Sequence, residues 1–301
     1  MLYISLDIML YYLHLYFLKI CIICIILVLF FGYLYNRTYT NFSDDKFYNF
    51  IQTGTHIKHD MYKKIEDPSI NIPQHVYQTW HSKNIPLNMR RTINKMKADN
   101  PEFTFHLYDN SDCIEFINNN FEKKYGISEA FNSLIPGAYK ADLWRYCVLY
   151  KLGGIYLDVK YQCVNGFKLN QIADKEHLVL ERIGSNFWKS GQFGIYNALM
   201  VCMPGNDVLW ECILQIVKNV INKEYSKNSL YPTGPGLLGE KYFSHMFNSP
   251  YDFELFYVHP EKIIYKNTII LQGYSEYRAE QAVVQRVNYH TQWANRQIYE
   301  K

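Results

Sequence analysis

The sequence predicts an α/β fold, and three stretches carry that prediction. Ile72–Trp80 reads as a strand ending in polar and aromatic residues. Glu102–Tyr108 alternates in side-chain character. A helix opened by Pro136 stops at Gly153-Gly154, directly ahead of a second alternating run, Ile155–Lys160. Strand, helix, strand, helix, strand is the order of a sheet covered by helices. With 301 residues, 49% of them hydrophobic and 17% aromatic, the chain can build one such domain plus an appendage and is not disordered. Its net charge of +3 is scattered rather than gathered into a stripe, which argues against a nucleic-acid partner.

Taken in order, the chain begins with a predicted membrane anchor. From Ile8 to Tyr35 only His14 and Lys19 interrupt an apolar run, and Leu10–Tyr35 supplies the roughly 20 apolar residues that a spanning helix needs. No small-residue cleavage site follows, so a retained, single-pass N-terminal transmembrane helix is expected within residues 1–35. Its orientation stays open. Arg37, Lys46, Lys58, Lys63 and Lys64 would keep the following side cytoplasmic, whereas Asn36-Arg-Thr38 and Asn41-Phe-Ser43 are glycosylation acceptors if that side is lumenal. Residues 36–70 are polar and broken by Thr53-Gly-Thr55 and Asp67-Pro68, and read as a stem; residues 71–301 form the folded domain.

Within that domain the first strand ends near Trp80, and ligands of open α/β sheets gather beyond such carboxyl ends. After the second strand, Asp109-Asn110 is a turn pair. Asp112 and Glu115 have capping-box spacing for a helix to about Lys124, with Gly126 as its stop. The helix opened by Pro136 sets Asp142 and Arg145 three residues apart, on one face and within reach of one small polar ligand. Glycine then supplies the left-handed conformation that ends a helix. Alternation in Ile155–Lys160 places Ile155, Leu157 and Val159 on one face and Tyr156, Asp158 and Lys160 on the other.

Leu178–Ile183 and Tyr196–Cys202 read as further strands, and Asn206 caps an amphipathic helix that belongs to the core. Thr233-Gly-Pro-Gly-Leu-Leu238 is a tight loop ahead of a helix, where small residues admit close approach and N–H groups favour anionic oxygen. Seven irregularly spaced cysteines give no disulfide framework, so buried thiols are expected.

The run A-D-x-x-R-Y-x-x-L-Y-x-x-G-G-I-Y-x-D, Ala141 to Asp158, resembles glycosyltransferase family 32, the DXD-containing sugar transferases, and more distantly the glucosylating toxins. The likeness extends roughly from Ile72 to Trp293. It implies a GT-A type fold with a mixed, mostly parallel central sheet. It also implies that Asp142 and Arg145 bind the donor sugar's hydroxyls and that Asp158 is the first acid of DXD, with Tyr156 beside it. By the same likeness Trp80 falls where the family stacks the nucleotide base, with Gln78 next to it. Gly234 and Gly236 lie in a second family-like motif, and His290 and Trp293 fall close to the diphosphate.

The departure is Lys160, which stands where the second DXD acid, a metal ligand, would be. Two readings stay open. In one, a Mn or Mg ion is held by Asp158, the diphosphate and His290, with Lys160 turned toward phosphate. In the other, no metal is needed and Lys160 itself neutralises the leaving diphosphate. The expected activity is that of a retaining hexosyltransferase using a UDP- or GDP-sugar and a glycan, lipid or protein acceptor at a membrane. The alternative is a degenerate protein that binds nucleotide-sugar or glycan without turnover, for which Lys160 is the best support.

Overall fold

Among the described residues nine strands form a single sheet. The chain divides into two compact units, Met1–His56 and Ile57–Lys301. The computed structural model describes residues 72–182, 193–246, 253–283 and 287–300, all in the second unit. The expected anchor (1–35) and stem (36–70) lie outside the described residues, among which no helix is long and apolar enough to cross a membrane.

In chain order the elements are β1 (His75–Thr79), α1 (Leu87–Asp99), β2 (Thr104–Tyr108), α2 (Asn110–Asn120), α3 (Ile127–Ser133), α4 (Gly137–Leu152), β3 (Gly154–Leu157) and β4 (Tyr161–Cys163). They continue as β5 (His177–Leu180), β6 (Ile195–Cys202), α5 (Asp207–Ile221), α6 (Pro235–Met246), β7 (Leu255–Val258), β8 (Lys262–Tyr265), β9 (Thr268–Gly273), α7 (Tyr277–Val283) and α8 (Tyr289–Ala294). The strand order is β2-β1-β3-β6-β5-β7-β8-β9-β4.

The sheet is mixed, as expected, but it is not mostly parallel. β1 runs parallel to β2 and β3, and β5 to β7; the other five pairings are antiparallel. The cause is local. β7, β8 and β9 are joined by short turns, and strands joined that way must run antiparallel.

This order also bends the sheet. β3 and β4 are six strand positions apart, about 29 Å in a flat sheet, yet the link from Leu157 to Tyr161 spans at most about 14 Å. The sheet therefore curls until its β9–β4 edge returns beside β3.

The helix bearing Asp142 and Arg145 is enclosed. Leu143, Trp144, Tyr146, Cys147, Val148 and Leu149 of α4 are all buried, and α4 packs against α5 and the sheet. A helix buried around most of its girth belongs in a core, so Asp142 and Arg145 are carried inside with it. The next strand leaves little room: a Cβ on Gly154, where φ is +107°, would meet the His75 carbonyl at 2.7 Å. That glycine lets β3 lie against β1.

Two boundaries differ from expectation. The capping box sits one turn earlier, on Asp109 and Asp112, because the Asp109 carboxylate accepts from the Ser111 and Asp112 N–H groups; α2 then ends at Asn120 rather than Lys124. The strand of the main motif ends at Leu157, and Val159-Lys160 is a turn, so Lys160 does not continue the alternation of Tyr156 and Asp158. All five cysteines among the described residues are buried free thiols.

Candidate functional site

Arg145 is the hub of the site. Its Nη2 lies 3.4 Å from Asp142 Oδ1, its Nη1 lies 3.6 Å from Asp158 Oδ1, and its guanidinium carbon stands 4.3 Å from the centroid of the Tyr156 ring. Backbone carbonyls fix its rotamer: Nε donates to Ala141 at 3.1 Å and Nη1 to Asn197 at 2.7 Å. Burial works against the charge, but Tyr156, Asp142 and Asp158 hold the guanidinium above its ordinary value. It is permanently cationic.

Asp142 is held from two sides. Asn197 Nδ2 donates to Oδ1 at 2.9 Å and Thr233 Oγ1 to Oδ2 at 2.8 Å. Burial raises its pKa, opposed by Arg145 and by those two hydrogen bonds. Asp158 is more open, with its side chain 24% exposed against 10% for Asp142. Its backbone N–H is bonded to the Ala198 carbonyl and its Oδ1 accepts from the Tyr156 hydroxyl at 2.9 Å.

Lys160 reaches Asp158 from the turn. Its Nζ lies 3.3 Å from Asp158 Oδ2 and 4.0 Å from Glu261 Oε1. The rings of Tyr161, Tyr196 and Tyr277 surround it at 5.3, 5.6 and 5.8 Å. Burial disfavours the ammonium, yet Asp158, the neighbouring tyrosines and Glu261 hold its pKa above the ordinary lysine value. Glu261 is also paired with Arg278. Glu181, immediately after β5, has its carboxyl pushed up to about 7 by burial, and Lys160 and Arg182 pull in the other direction.

The remaining predicted residues divide. Gln78 and Trp80 lie at the end of β1 with Gln78 Nε2 and Trp80 Nε1 buried and without hydrogen-bond partners. Trp80 packs against the apolar cluster of Met89, Ile93, Val159 and Tyr274, which includes a residue of the Lys160 turn. Gly234 and Gly236 serve packing: a Cβ on Gly234 would stand 3.0 Å from Asp142 Oδ2, and one on Gly236 would meet the Tyr231 ring at 2.8 Å. The loop's smallness seats Thr233 against Asp142.

His290 is exposed, with Nδ1 2.5 Å from Ser229 Oγ, and Trp293 Nε1 donates to the Tyr225 carbonyl at 2.7 Å. Neither meets Asp158. The adjacent Tyr289 has its pKa raised to about 12, by burial first and then by Asp142 and Glu181. Two open surface cavities, of about 390 and 360 Å³, lie away from Arg145; the second, lined by His81–Pro86 residues and α7, adjoins Trp80.

A divalent ion does not suit these side chains. Asp158 is already engaged by a hydroxyl, a guanidinium and an ammonium, and His290 is engaged by Ser229. Among the described residues no three His, Cys, Asp or Glu side chains are grouped to hold a metal. An ammonium 3.3 Å from the carboxylate both repels a cation and fills ligand space.

Residues 86–179 match the family model described as the glycosyltransferase sugar-binding region containing DXD motif. Residues 86–179 are therefore similar to a DXD-type sugar-binding region. That region includes Asp142, Arg145, Tyr156, Asp158 and Lys160, whereas Asn197, Thr233 and Glu261 are brought to it by the fold from outside the matched segment.

Among similar proteins, inositol phosphoceramide mannosyltransferase 1 of Schizosaccharomyces pombe is 25% identical over 58% of this chain and 51% of its own. The initiation-specific alpha-1,6-mannosyltransferase of Candida albicans is 21% identical over 69% of this chain and 62% of its own. An uncharacterized glycosyltransferase, L373, of Acanthamoeba polyphaga mimivirus is 34% identical over 31% of this chain and 37% of its own. The chain thus spans about half to three-fifths of the length of the first two relatives.

Proposed function

We propose that this protein is a retaining glycosyltransferase of GT-A type that moves a hexose from a UDP- or GDP-sugar to a glycan, lipid or protein acceptor. One observation carries the reading: two carboxylates and one guanidinium from the matched sugar-binding region converge at the carboxyl ends of β1 and β3. Asp142 and Arg145 would orient sugar hydroxyls, with the carboxylate held by Asn197 and Thr233 so that little reorganisation is needed on binding. Gln78 and Trp80 would receive the base, where two unpartnered buried N–H donors await acceptors. The mannosyltransferase names of the relatives make mannose the first hexose to test.

In the transfer itself, the bond from the anomeric carbon to the diphosphate breaks and its electron pair leaves with phosphate. The acceptor oxygen forms the new bond on the same face and gives its proton to the departing phosphate oxygen. The chain's own groups supply the charge that stabilises the leaving group. Residues 1–35 would tether the enzyme to a membrane, as their apolar run suggests.

A screen of UDP- and GDP-sugars for hydrolysis or transfer tests the reading. Turnover should disappear in Asp142→Ala and Asp158→Ala; normal rates in both folded variants would refute the site. The second reading, a binding protein without turnover, is favoured by Lys160 alone. Calorimetric binding of UDP or GDP with no hydrolysis of any donor would establish it.

A further inference from the structure

We infer that the Lys160 ammonium permanently occupies the role of the divalent cation, clamped by Asp158 and Glu261 inside a tyrosine cage, so that the site takes a nucleoside-diphosphate sugar without a metal. The inference rests on the donor-site reading above and adds to it the means of handling the diphosphate.

Charge supports it first. An Asp–Lys pair is neutral, and so is a pair of carboxylates carrying one divalent ion; replacing the second acid by lysine reproduces the charge of the metal-loaded motif within the chain itself. Placement supports it second. Lys160 is only 8% exposed, and its Nζ is fixed between Asp158 at 3.3 Å and Glu261 at 4.0 Å with three tyrosine rings around it. A solvated strand-end lysine would have none of this, and cation–π contact strengthens where water is excluded.

The third support is the turn itself. The Lys160 carbonyl accepts from the Tyr274 N–H at 3.0 Å, the Glu261 carbonyl accepts from the Gly273 N–H at 2.9 Å, and Arg278 pairs with the Glu261 carboxylate. A Cβ on Gly273 would meet Glu261 Oε2 at 2.8 Å, so the acid and this corner are packed together closely. Glu261 is a positioning residue: it supplies the ammonium with a second carboxylate besides Asp158. Trp80 and Tyr277 both pack against the apolar cluster of Met89, Ile93, Val159 and Tyr274, which sets the expected base site near the same turn.

The test titrates Mn²⁺ into the full chain with UDP and with GDP, following free Mn²⁺ by electron paramagnetic resonance and nucleotide affinity by calorimetry in EDTA. The wild type should bind nucleotide in EDTA and leave the Mn²⁺ signal free. Lys160→Asp should lose about tenfold or more in metal-free affinity, capture Mn²⁺, and regain affinity when Mn²⁺ is added. Wild-type capture of one Mn²⁺ that Asp158→Asn abolishes, or nucleotide binding that vanishes in EDTA, would overturn the inference while leaving the donor site standing.

Should Lys160→Asp not fold, Lys160→Met decides. A fall of about tenfold in metal-free affinity supports the role, and unchanged affinity overturns it. A wild type that binds neither nucleotide with or without Mn²⁺ removes the donor site and this inference together.

Discussion

Asp142 and Asp158 flank one guanidinium, yet they sit in different settings. Asp142 is sealed in the helical layer with both oxygens bonded to neutral donors, whereas Asp158 lies at a strand end, half open, beside a second cation. The contrast separates two tasks. The first acid is preset and rigid, suited to a ligand of fixed geometry. The second is charge-balanced and accessible, suited to a group whose charge changes during reaction.

The comparison can be broken most forcefully at the shared residue. Arg145→Met strips Asp142 of its buried counter-charge and leaves Asp158 with Lys160 alone, and unfolding in urea should show a loss of about 3–5 kcal/mol. A loss confined to activity, with stability intact, would mean that the acids do not depend on the guanidinium. A smaller effect is expected on the sealed side: Thr233→Val and Asn197→Ala each leave one Asp142 oxygen without its donor, costing about 1–3 kcal/mol by the same measurement. Asp158 should be indifferent to both changes, so nucleotide affinity should move less than stability.

The next test uses pH. Glu181 keeps its proton in the fold up to about 7, against an ordinary value of 4.5. The folded protein therefore binds more protons than the unfolded chain between those values, and stability falls as pH rises through that window. After allowance for screening at a partly exposed carboxyl, the slope amounts to about 1–2 kcal/mol. Melting curves of Glu181→Gln should lose it; an unchanged pH dependence would place the proton elsewhere. The smallest effect sharpens the open side. Trp80→Ala should weaken UDP or GDP binding about tenfold by calorimetry while leaving the Asp142 network untouched.

Much of the site was legible because it is local. Asp142, Arg145, Tyr156 and Asp158 lie within 17 consecutive residues, and helix periodicity followed by a glycine stop suffices to bring them together. Asn197 was missed, although a lone asparagine in the apolar run of β6 is the kind of signal that marks a buried polar partner. Glu261 and Tyr277 had no local signal at all. They reach Lys160 because β8, β9 and β4 are neighbours in the sheet, with Tyr161 paired to Gly273 and Lys262 to Gln272, a property of strand order and not of any one strand.

The same distinction explains His290 and Trp293. Sequence likeness set them close to the diphosphate; in the fold α8 engages the histidine with Ser229 and the tryptophan with the Tyr225 carbonyl. The glycines of the Thr233 loop were singled out for ligand approach; in the fold the space at Gly234 admits the Asp142 carboxylate and that at Gly236 the Tyr231 ring. A small residue signals proximity without saying to what.

The last turn of the chain closes on the entrance to α4. The Glu300 N–H meets the Ser133 carbonyl, Tyr299 bridges Leu134, and the Ile135 N–H bonds the Ile298 carbonyl, all just ahead of the helix that bears Asp142. This acts as a clasp, so a disturbance at residues 298–300 is passed straight to the start of the helix that presents the first acid.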